Sequence, residues 1–91
     1  MSFLRNTPAQ IQALRDGVAS KNAKLLRDTA HSLKSSSVNV GATDLTTLCR
    51  ELELGCRSGM IKDAQSRVAA IEREYALVEE ILLSEVQAER V

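Results

Sequence analysis

The strongest constraint in this sequence lies near its C-terminus, where Ala64, Val68, Ile71, Tyr75, Val78 and Leu82 recur in alternating steps of four and three. That spacing keeps apolar side chains on one stripe of an α-helix, whereas a strand would need a period of two. Such a stripe is a bundle or coiled-coil seam, and it is stable only when other helices cover it. Leu45, Leu48, Cys49, Leu52 and Cys56 form a second stripe, and Ile11, Leu14 and Val18 begin a third. No run of strand-like alternation and no internal repeat interrupts them.

The breaks between stripes are short. Thr7 is expected to cap the first helix, with Pro8 at its first position and Gln10 closing a capping box. Phe3 and Leu4 either stand outside that helix or form the tail of an earlier turn kinked at Pro8. Asn22 suits an N-cap for the second helix, and Gly41 ends it. A connection as short as the one at Gly41 forces the next helix to return antiparallel. Gly59 is the expected stop of the third helix, and Asp63 the cap of the fourth. The chain of 91 residues is therefore read as one domain, 1–91, with helices over roughly 7–20, 22–39, 43–58 and 63–89. The expected fold is all-α, an antiparallel up-down four-helix bundle.

Composition narrows the function classes. Phe3 and Tyr75 are the only aromatic residues, and twelve basic side chains balance twelve acidic ones. Nucleic-acid binders carry a basic stripe and often stacking aromatics, so that class is set aside. No apolar run approaches the ~18 residues that span a bilayer, and the N-terminus lacks a signal-peptide pattern. The expectation is a cytoplasmic protein with no direct membrane insertion. Cys49 and Cys56 lie two helical turns apart and read as reduced core residues. A zinc site needs more ligands at closer spacing, so no metal is expected.

The chain's single histidine, His31, sits in "AHSLKSSSVNVG" (residues 30–41). At about 100° per residue, Leu33 falls about 200° away from it around the helix. Leu26, Thr29 and Val40 share that far, buried side, flanked by Ser36 and Ser37. Lys24, Arg27, Asp28, Lys34, Ser35 and Val38 surround His31, which places the imidazole on the polar face. On spacing alone, a scattered surface histidine is the simpler reading. Three consecutive serines are poor helix formers and suggest that small side chains are needed there.

"AHSLKSSSVNVGATDLTTLCRELE", residues 30–53, resembles the signature of histidine-containing phosphotransfer (HPt) domains. The match is gapless over 24 residues, and with the lead-in "FLRNTPAQIQALRDGVASKNAKLLRDT" the resemblance covers more than half of the chain. The resemblance implies that His31 is the phosphoacceptor, taking a phosphoryl group on Nε2 from a receiver-domain aspartate. Lys34 matches the cation that holds the phosphoryl oxygens, and Gly41 the hairpin glycine. Ser35 stands where many members have glycine, a departure that keeps the side chain small. Glu53 matches the acid or amide that orients the imidazole through Nδ1. Position agrees with that last role, because His31 lies ten residues before Gly41 and Glu53 twelve after it, at nearly equal height in an antiparallel hairpin.

The implied function is a phosphorelay intermediate that shuttles phosphate between the aspartates of response-regulator receiver domains. The receiver supplies the Mg²⁺, and the domain needs no cofactor of its own. Arg27, Ser35 and Val38 are the expected docking residues, and the face around Val38 could serve a second protein partner. No Gly-rich phosphate loop is present, so no autonomous catalysis is expected. The abrupt "MSFLRN" start suggests a C-terminal domain of a hybrid sensor kinase, tethered in that case to a membrane-bound protein. The rival reading is a helical interaction or scaffolding module in which His31 is never phosphorylated.

Overall fold

Apolar side chains at helical spacing give helices wherever the chain is described. The computed structural model describes residues 2–57 and 63–89, as α1 (Ser2–Ser20), α2 (Ala23–Asn39), α3 (Thr43–Arg57) and α4 (Ala64–Glu89). The expected end of the third helix at Ser58 and its stop at Gly59 lie outside the described residues.

The first helix starts earlier than its cap signal suggests. Pro8 lies inside α1, and Thr7 does not cap it. Thr7 is fully enclosed, and its Oγ1 donates to the Phe3 carbonyl at 2.6 Å. Proline has no N–H to offer the Leu4 carbonyl, and an interior proline costs a helix ~3 kcal/mol. The extra turn survives because it carries Phe3 into the core, against Tyr75, with ring centroids 5.8 Å apart and planes tilted by 59°. Burying an aromatic ring of that size contributes about 1.5–3 kcal/mol, and the ring pair adds about 0.5–1.5 kcal/mol. Phe3 and Thr7 in fact continue the stripe of Ile11, Leu14 and Val18 backwards in steps of four. Tertiary packing overrode the local cap.

Each tight turn is closed by backbone geometry. At the end of α1, the Asn22 N–H bonds the Gly17 carbonyl at 2.9 Å and the Lys21 N–H bonds that of Val18 at 3.2 Å. This is a Schellman ending, and it places Lys21 at φ +54°. Asn22 then caps α2, its Oδ1 accepting from the Leu25 N–H at 3.0 Å. A side chain in the left-handed region costs about 1–2 kcal/mol, part of which glycine gives back through its freer unfolded chain. Lys21→Gly should therefore raise stability by about 0.5–1 kcal/mol, read as a higher urea midpoint. An unchanged or lower midpoint would refute the strain assigned to Lys21.

The same motif closes α2, with the Gly41 N–H on the Val38 carbonyl at 3.0 Å and the Ala42 N–H on that of Ser37 at 2.9 Å. Gly41 stands at φ +76°, and a Cβ there would meet nothing within 4 Å. Backbone angle, not space, requires glycine. Asp63 opens α4 differently from the expected side-chain cap. Its carbonyl accepts the Arg67 N–H at 3.0 Å, while its own φ of +64° departs from the extended conformation of a capping residue.

Among the described residues, α1 packs on α2, α2 on α3, α3 on α4 and α4 on α1, with no diagonal contact. That is the pattern of an up-down-up-down bundle, and the α2–α3 pair is its most extensive contact. Leu14, Leu26, Leu33, Leu45, Leu52 and Ile71 are fully enclosed at the centre. Gly17 lets α1 approach α2, since a Cβ there would lie 2.8 Å from the Leu26 Cγ. Cys49 and Cys56 are buried and free. Burial pushes the Cys49 thiol up to about 12, with the nearby Glu53 charge adding to it, and burial also raises Cys56. Both are inert core thiols at neutral pH. Among the described residues, no helix is long and apolar enough to cross a membrane.

Candidate functional site

The buried arc of α2 is set by Leu26, Ala30, Leu33 and Ser37. Averaging their helical phases places His31 about 130° from the centre of that arc. The imidazole therefore sits on the shoulder of the helix, above the α2–α3 groove, rather than a full helix diameter from the core. Its side chain is still 63% exposed. The serine run fits this placement. Ser35, Ser36 and Ser37 each donate to the carbonyl four residues back, and only Ser37 is enclosed.

Glu53 comes up from α3 beneath the imidazole. One carboxylate oxygen lies 3.0 Å from His31 Nδ1 and the other 3.3 Å. The Glu53 side chain is only 9% exposed. An ionised carboxylate can only accept, so Nδ1 carries the hydrogen, and the Nε2 lone pair is left at the exposed edge of the ring.

Lys34 lies half-buried on the polar face of α2. Its Nζ donates to Glu53 Oε2 at 2.9 Å, and its side chain is 26% exposed. The hydrogen bond from Lys34 holds the Glu53 carboxyl below the usual carboxylate range; burial opposes it, and the His31 hydrogen bond adds to it. One carboxylate is thus bracketed by an imidazole N–H and an ammonium.

A stability consequence follows from the lowered Glu53 value. A depressed folded-state value contributes stability above the unfolded carboxylate range, near 4.3, that is lost as pH falls through the folded value. Lys34→Ala should cost about 1–2 kcal/mol at neutral pH, because a charge-assisted hydrogen bond to a nearly buried acceptor is lost. The gap from the parent should close in acid, once Glu53 is protonated in both. Denaturation followed from pH 7 into acid checks this, and equal midpoints at pH 7 would refute it.

The remaining expected site residues are distributed around this triad. Ser35 and Val38 are exposed, Val38 at 60%. Arg27 lies one turn before His31, with a loose 3.7 Å approach to Asp28. Among the described residues, no hydrogen bond or ion pair joins Arg27 to the imidazole or to Glu53. A shallow groove of about 460 Å³ is lined by Lys34, Ser35, Val38, Asn39, Thr46 and Arg50. Sequence reasoning missed Arg50 and Thr46. Helical phase held the signal, since both lie three or seven residues before Glu53 and so share its side of α3.

A bundle that presents one imidazole at its surface, seated on a nearly buried carboxylate with a lysine beside it, defines a phosphotransfer domain. The family model described as "Hpt domain" matches residues 1–82, and the chain belongs to the Hpt domain family. It is a phosphorelay intermediate of two-component signal transduction, and domains of this family pass phosphoryl groups between receiver domains. The chain is similar to histidine-containing phosphotransfer protein B (HptB) from Pseudomonas aeruginosa PAO1, whose crystal structure it matches with a TM-score of 0.93. Identity is 33%, over 96% of this chain and 76% of that one. No curated protein sequence matches the chain significantly.

Proposed function

We propose that His31 is the phosphoacceptor, and that Glu53 and Lys34 are its working partners. The observation that supports this most is the 3.0 Å contact between His31 Nδ1 and a carboxylate that is itself almost buried. It fixes the tautomer, so the nucleophilic nitrogen is the exposed one.

In the proposed step, the Nε2 lone pair attacks the phosphorus of a receiver's aspartyl phosphate. The Nε2–P bond forms, the P–O bond to the aspartate breaks, and the aspartate leaves as a carboxylate. Nδ1 keeps its hydrogen, so the ring gains a positive charge that Glu53 balances. Transfer to a second receiver is the same step reversed. Mg²⁺ is held by the receiver, whose pocket supplies its ligands. Phosphoryl transfer asks little beyond such alignment and charge compensation.

The receiver docks over the face of Ser35 and Val38, with Arg50 at the edge of the same groove and Arg27 on the other side of His31. Exposed apolar Val38 and the cations around it suit a receiver surface whose acidic pocket must approach Nε2. The test is incubation with receiver domains charged by acetyl phosphate. Transfer of an acid-labile phosphate to His31 is the expected result. Absence of label at His31 with every charged receiver of the host would overturn the reading in favour of a scaffolding module.

A further inference from the structure

Helices of unequal length leave part of the longest one without a neighbour. α4 runs for 26 residues and α3 for 15, so at 1.5 Å per residue they measure about 39 Å and about 22 Å. Arg67 of α4 meets Glu51 of α3 at 3.6 Å. In an antiparallel pair that register sets Thr43, the first residue of α3, level with about Tyr75. α4 continues past this level, so the side that faced α3 stands open there. At about 100° per residue, Glu85 falls on the same line as Arg67, Ile81 about 40° from it and Leu77 about 80°. Leu77 is 55% exposed and Ile81 60%. Val78 and Leu82, on the neighbouring stripe, pack against the core. Leu77 and Ile81 therefore form a second apolar ridge on the same helix.

Acidic side chains border this ridge. Residues 72–85 hold five glutamates and one arginine, Arg73. Two of the acids are engaged: Glu72 pairs with Arg15 of α1, and Glu79 accepts from the Tyr75 hydroxyl at 3.2 Å. Among the described residues, Glu74, Glu80 and Glu85 enter no ion pair. Helical phase sets Glu74 and Glu85 on one flank of the ridge and Glu80 on the other. We propose that this end of α4 is a second interaction surface, whose partner is an amphipathic helix with its apolar ridge bordered by lysine or arginine. The partner helix docks on Leu77 and Ile81, in the space in line with α3.

Apolar rows four residues apart suit ridge-into-groove packing of a second helix, and the unpaired glutamates select a cationic one. The same charges disfavour other occupants. A second copy packed antiparallel, Leu77 on Ile81, brings the two Glu80 side chains together beside the two-fold axis. A membrane with anionic headgroups is repelled, and so is the acidic pocket face of a receiver. The surface is also remote from the phosphoacceptor. His31 contacts Glu53, which the register sets level with Gln65, about 24 Å along the axis from Ile81. The proposal therefore does not rest on the role of His31.

The test titrates the full chain with a synthetic leucine–lysine peptide of amphipathic helical spacing, LKKLLKLLKKLLKL, and with its leucine–glutamate counterpart. Amide ¹H–¹⁵N spectra should show saturable binding of the lysine peptide, with shifts centred on residues 74–85, and none of the glutamate peptide. Ile81→Gln, with Leu77→Gln as a second variant, should weaken binding roughly tenfold, and the Glu80→Lys, Glu85→Lys double variant at least as much. Added salt should weaken binding to the parent more than to the double variant. No saturable binding, shifts centred elsewhere, or parent-like binding by both glutamine variants would overturn the surface. Equal binding of the glutamate peptide would overturn the selection by charge. Two further results would assign another occupant and overturn the cationic partner. One is a dimer of the parent in sedimentation that Ile81→Gln dissociates; the other is co-sedimentation with phosphatidylserine vesicles that Ile81→Gln abolishes.

Discussion

His31→Gln is expected to abolish phosphoryl uptake while leaving the bundle folded. An amide nitrogen has no lone pair available for attack, so no receiver should label the variant at this position. The side chain it replaces is 63% exposed, which keeps the folding cost small. It is not zero, because the Nδ1 hydrogen bond to Glu53 disappears and a nearly buried carboxylate loses one of its two donors. About 1 kcal/mol is the expected loss, with Lys34 still in place to hold the charge. A urea curve beside a phosphotransfer assay measures both. A variant that still takes phosphate would show that the acceptor is wrongly assigned, and one that unfolds would contradict the exposed placement of His31.

Leu33→Ala, two residues further along the same helix, should behave in the opposite way. Leu33 is fully enclosed among the core leucines, where α2 meets its neighbours. Truncation removes its transfer energy and leaves a cavity that rigid helices fill only in part, for about 2–5 kcal/mol. Phosphate uptake per folded molecule should survive, because the His31–Glu53–Lys34 arrangement lies on the other flank of α2. A loss below 1 kcal/mol in thermal or urea unfolding would contradict the packing described here. The pair of variants separates core from site within a single helical turn.

Much of this molecule is legible in local patterns. The stripes of α3 and α4 mark their core residues because a helix repeats every 3.6 residues whatever surrounds it. Leu45, Cys49, Leu52 and Cys56 are buried as that period predicts, and so are Ala64, Val68, Ile71 and Tyr75. Gly41 could be placed in the turn because only glycine accepts its positive φ without cost. The exposure of His31 follows from its phase relative to Leu33. Where the reading failed, a non-local contact outweighed a local preference. Thr7 and Pro8 form a sound N-terminal signal, yet the helix continues back through them and carries Phe3 to Tyr75.

The sequence by itself determined the four helices, their apolar faces, the turn at Gly41 and the outward placement of His31, since each depends on residues within a turn or two of one another. Only the tertiary structure decided what the charges do. A glutamate at the height of the histidine could lie in solvent, and a lysine three residues on could wave free. The close α2–α3 packing removes both options, bringing Glu53 to 9% exposure with His31 and Lys34 as its donors. Burying a carboxylate is tolerable only with such partners, and partners from two helices meet only when the turn fixes their register.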